Sequence, residues 1–506
     1  MTVLAAPATL ETLALSDGYA SLGPDFVERR EPEPVAEPYL IAFNPDAAAL
    51  IDLAPEQSTR PEFLRLAAGC ARFARVEPFA AVYAGHQFGS FVPQLGDGRA
   101  ITLAEVRTAA GDPFEWQVKG AGMTAYSRFG DGRAVRRSTI REYLCSEAMA
   151  ALGVPTTRAL AIAGSDEAVY RETAETAAVL TRLAPSHLRF GTFEYFHYRG
   201  NTAAVKTLAD YALARFFPHL ASVTDDAARY AALLREIVER TATLIARWQA
   251  VGFAHGVMNT DNMSILGLTL DYGPYGFLDA YDPGFICNHT DAGGRYAFEQ
   301  QPAIGLWNCR ALAAALSSLV PDAAAQEALD AYKPAFAAHF TSSLYEKFGL
   351  TTARAGDAEF FTEAFGRLAR GAVDYTNFFR ALSCVASDGA ASAAGQLPNA
   401  AETRFLELFA DAEDGRTMLA AYRLRLQAET RPDAERQSAM LAVNPKYVLR
   451  NYLAEQTIRA ARERDYTELA RLHDVLRRPF DDRPGFEAYA AAPPDWARTL
   501  SVSCSS

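Results

Sequence analysis

The alternation of apolar and polar positions changes character twice along the chain. Residues 1–80 mix short apolar pieces with the proline-rich segment EPEPVAEP, which predicts an extended N-terminal segment wrapping the core. From 81 to 184 the pattern is that of strands broken by tight turns. FVPQLGDGRAITLAEV (91–106) predicts strand, Gly-Asp-Gly turn and strand, because branched and apolar residues flank the glycines. FEWQVKG (114–120) and AAVLTRLA (177–184) predict two more strands. Between them STIREYLCSEAMAALGVP (138–155) predicts a helix: Ile140, Leu144 and Ala148 share a face, and Gly153 and Pro155 end it.

From 185 to 506 the character is helical. In YAALLREIVERTATLIARWQAVG (230–252) the residues Leu234, Val238, Thr241, Ile245 and Trp248 recur at helical spacing, and Gly252 stops the run. Past 310 helix follows helix, rich in Ala, with a polar loop near 385–403. The expected fold class is therefore α+β, a β-rich lobe with one prominent helix followed by a larger helical lobe.

Composition narrows what such a chain does. Half of the 506 residues are hydrophobic and 22% are charged, which excludes a disordered protein and leaves room for a two-lobed enzyme. A formal net charge of -12 argues against broad nucleic-acid binding, so any polyanion must meet a local cluster of Arg and Lys. The apolar run Ala311–Val320 is about half the ~20 residues a membrane helix needs. The N-terminal MTVLAAPATLETLAL lacks a cationic leader and carries Glu11. Cysteines at 70, 145, 287, 309, 384 and 504 form no CxxC pair, so a reduced cytoplasmic protein is expected.

Chemistry concentrates in HGVMNTDNMSILGLTLDYG (255–273). Its centre predicts a hairpin, Ser264–Leu266, a Gly267 turn and Leu268–Leu270, that brings Asn262 and Asp271 together. An amide oxygen beside a carboxylate suits Mg²⁺, and Asp261 is placed to accept a proton from a hydroxyl. The competing reading is a polar loop whose Asp and Asn cap turns. Lys119 on a strand and Glu142 on a helix suit an ion pair that holds a phosphate chain. Alternatively Thr139-Ile-Arg-Glu142 is a capping box. Gly96, Gly98 and Arg99 fit either a phosphate-approaching loop or a plain turn. FGDGR (129–133) echoes LGDGR (95–99), and Arg182 and Arg189 flank the lobe junction. His255 and His86 read as structural histidines, since no His/Cys cluster accompanies them.

The order glycine turn, strand lysine, helix glutamate, long helix, Asp-Asn and Asp-aromatic-Gly is the order of parts in a protein kinase. One part differs. Kinases carry H-R-D-x-x-x-x-N, whereas here Gly256 follows His255 and the nearest aspartate abuts Asn262. The blocks YAGHQFGSFVPQLGDGRA, QVKGAGMTAYSRFGDGRAVRRSTIREYL, HGVMNTDNMSILGLTLDYGPYGFLD and NPKYVLRNYL resemble the signature blocks of the selenoprotein O (YdiU) family, from about 80 to 455.

That resemblance implies a protein-kinase-like two-lobed fold and a protein adenylyltransferase. Such an enzyme moves AMP from ATP to Ser, Thr or Tyr hydroxyls of proteins, with itself as one candidate target and with ATP flipped relative to kinases. It also implies that Lys119 and Glu142 form the ion pair, and that Gly96, Gly98, Arg99, Asp131, Gly132, Arg182 and Arg189 line the nucleotide pocket. Asn262 and Asp271 would hold Mg²⁺ or Mn²⁺, with Asp261 as base. Family members carry selenocysteine near the C-terminus, which implies a redox role for Cys504 paired with Cys287, an isolated thiol being the alternative. An atypical kinase and an inactive nucleotide-binding scaffold are the competing functions. Neither nucleic acid nor membrane is expected as a partner.

Overall fold

The computed structural model describes residues 7–387, 400–500 and 502. Its N-terminal lobe is built on strands β1 (Ala14–Ser16), β2 (Val27–Arg29), β3 (Tyr39–Phe43), β4 (Phe79–Ala81), β5 (Gly85–Gln87), β6 (Ser90–Val92), β7 (Ala100–Arg107), β8 (Pro113–Lys119), β9 (Ala134–Val135), β10 (Arg158–Tyr170) and β11 (Ala174–Ala184). Nine of them make one antiparallel sheet in the order β2-β4-β7-β8-β11-β10-β3, with β1 on β7 and β9 on β11. Strands from the first 80 residues are thus part of the sheet.

Both faces of that sheet are covered, and β8 shows how its sequence sorts them. Phe114, Trp116 and Val118 alternate with Glu115, Gln117 and Lys119, which is the period of a strand. Trp116 packs edge-on against Phe63 and Phe73, supplied by the N-terminal segment. The other face carries Gln117 and Lys119 toward the second lobe. The register Leu180↔Lys119 and Arg182↔Gln117 places Arg182 of β11 on that same face.

The helix Arg136–Ala151 packs on β10 and β11 and against the helices Asn451–Arg462 and Thr467–Leu476. The helical lobe is organised around Asp226–Val251. Asp225 caps this helix by accepting from Ala228 N–H at 2.8 Å, and Gly252 ends it in the left-handed conformation at φ 71°. Directly afterwards Phe253–Ala254 pairs with Gly276–Phe277, Phe253 opposite Phe277. This two-strand ladder closes the excursion 255–275, so Asp261, Asn262 and Asp271 share one loop. The α+β, kinase-like two-lobed architecture is as expected. Among the described residues no helix is long and apolar enough to cross a membrane.

Three local expectations are corrected. Residues 91–106 do not form a hairpin about Gly-Asp-Gly: β6 pairs with β5, and β7 pairs with β8, β4 and β1. Gly96, at φ 125°, lies against the Tyr126 ring instead of turning a ladder. The Thr139 capping box is absent, because the helix starts earlier at Arg136 and Thr139 Oγ1 donates to Val135 O at 3.0 Å. The hairpin across 264–270 shrinks to a single bridge, Met263↔Thr269. Its flanks are taken by other segments, Ser264 by Arg189 and Thr269 by Thr156.

Lys347, in the helix Tyr332–Phe348, is buried and makes no ion pair among the described residues. Its ammonium lies 4.2 Å from the Phe379 ring centre. Burial pushes this lysine down to about 7 from 10.5. The folded state therefore disfavours the charged form that the unfolded chain keeps up to its ordinary value. The cost is complete below about pH 7 and fades as pH rises toward 10.5. Lys347→Met is expected to raise the melting temperature, most at pH 6 and least near pH 10, as followed by thermal denaturation across pH.

Candidate functional site

A cleft of about 780 Å³ lies between the lobes. Its walls include Gly96, Gly98, Arg99, Lys119, Asp131, Gly132, Glu142, Arg182, Asp261, Asn262 and Asp271. Eleven residues singled out from the sequence therefore converge although they span 176 positions, from 96 to 271. The twelfth, Arg189, stands behind the wall.

At the centre is Asp271. Its Oδ1 takes Lys119 Nζ at 3.0 Å and Arg182 Nη1 at 2.5 Å, and its Oδ2 takes Arg189 Nη1 at 2.9 Å. Glu142 completes the network, Oε2 to Lys119 at 2.6 Å and Oε1 to Arg182 at 3.0 Å. The strand lysine and helix glutamate are thus an ion pair in space, and Glu142 caps nothing. Burial acts to raise the Asp271 carboxyl, but Arg182, Lys119 and Arg189 overcome it and hold the group well below the usual range. Asp271 itself sits at φ 55°, in a left-handed conformation uncommon for a non-glycine residue.

Arg189 braces rather than lines the cleft. Besides Asp271, its Nη1 donates to Asp261 O at 2.7 Å, and its guanidinium covers the Tyr83 ring at 4.5 Å. One guanidinium thereby ties the two halves of loop 255–275 together. Gln117, two residues before Lys119, was missed by motif reading; it accepts from Arg182 Nε at 2.7 Å. Strand alternation was the signal that could have found it, since Gln117 and Lys119 share a face.

The two glycine-rich turns meet on one side of the cleft. Thr124 Oγ1 donates to Asp97 O at 2.9 Å, and Ser127 Oγ donates to Gly98 O at 2.5 Å. A Cβ on Gly132 would lie 2.1 Å from the Gly122 carbonyl carbon, so this crossing admits only glycine. Asp131 is clamped by Arg171, Nη1 at 2.7 Å and Nη2 at 2.9 Å, and that hydrogen bonding holds its carboxyl low. Burial lowers the Arg99 guanidinium from its ordinary value.

Asp261 is 8% exposed. Its Oδ2 accepts from Gln87 Nε2 at 3.3 Å, while Oδ1 is buried with no partner among the described residues. Burial lifts this carboxyl to about 7, against the pull of Arg189 and Gln87. Asn262 donates its Nδ2 to Val257 O at 2.9 Å, which leaves the amide oxygen as an acceptor or metal ligand. His255 and His86 are structural in the way their isolation suggested. His255 Nε2 lies 3.0 Å from Leu270 O under a stacked Trp248, and His86 Nδ1 lies 2.5 Å from Glu194 Oε1. Cys287 is buried, and Cys504 lies outside the described residues.

A β-rich lobe with a Lys–Glu pair facing a helical lobe with an acidic loop defines a kinase-like nucleotide enzyme. The family model for protein adenylyltransferase SelO matches residues 9–477. A protein nucleotidyltransferase YdiU from Myxococcus xanthus is 54% identical over 501 residues, 99% of this chain and 100% of that one. Proteins of the same name from Thiobacillus denitrificans and Thioalkalivibrio sulfidiphilus are 53% and 54% identical over 502 and 503 residues. They cover 99% and 98% of this chain, and 100% and 99% of their own. The chain belongs to the SelO protein adenylyltransferase family and is an enzyme, a nucleotidyltransferase.

Glu142→Ala leaves three buried cations, Lys119, Arg182 and Arg189, on the single carboxylate of Asp271. Removing one partner of a buried pair costs about 3–5 kcal/mol. Chemical denaturation is expected to show a loss of that order, with Glu142→Gln losing less because it keeps the side-chain volume.

Proposed function

We propose that this cleft transfers AMP from ATP to a serine, threonine or tyrosine hydroxyl of a protein, with ATP seated in the reverse sense to a kinase. The observation that carries the reading is the convergence of Lys119, Arg182 and Arg189 on Asp271 deep between the lobes. A kinase seats its adenine far inside and needs one lysine on the phosphates. Here several cations lie inside, where a polyphosphate is the fitting guest and an uncharged base is not.

Asn262 and Asp271 offer one amide oxygen and one carboxylate. No group of three or more His, Cys, Asp or Glu side chains gathers as a cage among the described residues. Such a sparse, hard-oxygen donor pair fits Mg²⁺ or Mn²⁺, whose remaining positions go to phosphate oxygens and water. The ion, when bound, neutralises charge on the phosphates. The chain's own part follows from its side chains. Lys119 and Arg182 hold the phosphate chain, and the Gly96–Gly98 backbone lets it come close. Asp261 accepts the proton of the acceptor hydroxyl as that oxygen attacks the α-phosphorus. The new O–P bond forms as the bond between the α-phosphorus and the bridging oxygen breaks, and pyrophosphate leaves.

A carboxylate on the cleft wall, beside the Asn262 amide, suits that role. The C-terminal tail bears on regulation in the same reading. Val502 O accepts from His289 N–H at 3.2 Å, which brings the tail to the segment holding Cys287 and favours a regulatory Cys287–Cys504 disulfide.

ATP labelled on the α- or the γ-phosphate, supplied with Mg²⁺ or Mn²⁺, tests the chemistry through label retained on protein, the enzyme itself included. Label from the α-position alone is expected. Label from γ alone would make the enzyme a kinase, and none from either position would leave a scaffold. Arg182→Ala is expected to lower incorporation at least about a hundredfold, since a charged contact to a transferring phosphate is lost. Incorporation at the wild-type rate would dismiss the reversed seating.

A further inference from the structure

β5 and β6 pair with each other and stand apart from the main sheet. Four consecutive residues of this hairpin nevertheless grip loop 259–262. Gly85 approaches so closely that a Cβ there would sit 2.5 Å from Asp261 Oδ1. The backbone N–H of His86 donates to Thr260 Oγ1 at 2.7 Å, and that of Phe88 to Asn259 Oδ1 at 3.2 Å. Between them the Gln87 side chain reaches Asp261 Oδ2 at 3.3 Å.

The grip is itself anchored. Glu194 takes His86 Nδ1 on one carboxylate oxygen and the Thr260 hydroxyl on the other. Hairpin and loop are therefore two sides of one buried polar network, and the Gln87 backbone is held on both sides of its Cα. A carboxylate is otherwise soft: the terminal torsion of an aspartate has a broad, two-fold profile. A single well-placed donor selects one setting of it.

We infer that Gln87 is a positioning residue for the transfer. Its amide N–H holds Oδ2 of Asp261 from the cleft wall while Oδ1 packs against Gly85, so that the remaining lone pair of Oδ2 is the one presented to the acceptor hydroxyl. This rests on Asp261 being the base. Gln87 also lines the cleft, so it keeps the carboxylate turned without leaving the reaction chamber. Gly85 is the complementary half of the device: lacking a Cβ, it lets the hairpin backbone close over the carboxylate.

Gln87→Met keeps the length of the side chain and removes the donor. It is expected to lower kcat for α-phosphate label transfer about tenfold or more, as small misplacements of reacting groups do. The Kd for ATP, measured by equilibrium dialysis, and the melting temperature should stay within error of wild type. Asp261→Asn is measured alongside. A slow Asp261→Asn enzyme with a Gln87→Met enzyme at full kcat overturns the positioning role and leaves the base intact. A Gln87→Met enzyme that loses ATP affinity or melting temperature in step with its rate overturns it too, in favour of a nucleotide contact or a structural strut. If Asp261→Asn turns over at the wild-type rate, the base assignment itself falls, whatever Gln87→Met does.

Discussion

The whole cleft hangs on one carboxylate. Asp271 draws together Lys119 from β8, Arg182 from β11 and Arg189 from the junction after β11, across sequence separations of 152, 89 and 82 residues. None of these groups is stable alone in a buried setting, where an uncompensated charge costs several kcal/mol. Together with Glu142 they form three cations against two carboxylates, a cluster with an excess of positive charge facing the cleft. Such a surplus is what a polyphosphate finishes neutralising. The same arithmetic keeps the lobes registered, because moving either one strands charges.

A second layer of contacts fixes the geometry of that cluster. The helix bearing Glu142 is tied to the loop bearing Asp271 through the residue beside it. Arg141 Nη2 donates to Tyr275 O at 2.9 Å, its guanidinium lies 4.4 Å over the Tyr275 ring centre, and Tyr275 Oη returns a hydrogen bond to Arg141 O at 2.8 Å. The helix therefore cannot swing away from the loop without breaking all three contacts. Kinases commonly use the swing of the matching helix as a switch. In this chain the helix is fastened on the side that faces the loop, so a swing would first have to break those contacts.

Glycines set how near the pieces come. Gly85 against Asp261 and Gly132 against Gly122 are crossings where a side chain has no room. Both lie beside the cleft, where backbone must approach a neighbouring loop closely. The strained Asp271 backbone belongs to the same economy of space. Its left-handed turn aims the carboxylate at the three cations, and their attraction holds the turn in place.

Much of this was legible along the chain, for a plain reason. Periodicity reports which face a residue occupies, so β8, β11 and the helices 136–151 and 226–251 were readable from local pattern alone, as was the stop at Gly252. The order of parts and the family resemblance singled out Lys119, Glu142, Arg182 and Asp271, and these four meet in space. What the sequence could not decide were relations between segments. The Gly-Asp-Gly turn looked like a hairpin because its flanks are strand-like, yet β7 found better partners in β8, β4 and β1. Glu142 satisfied the spacing of a capping box, yet lies within reach of Lys119 and Arg182. Arg189 was expected in the pocket wall, and Gln87 and Gln117 were not singled out at all. Local sequence determined the elements and their faces, because backbone propensity and side-chain period act over a few residues. Partner choice was decided only in the tertiary structure, because each buried charge takes whichever opposite charge the packed lobes bring nearest.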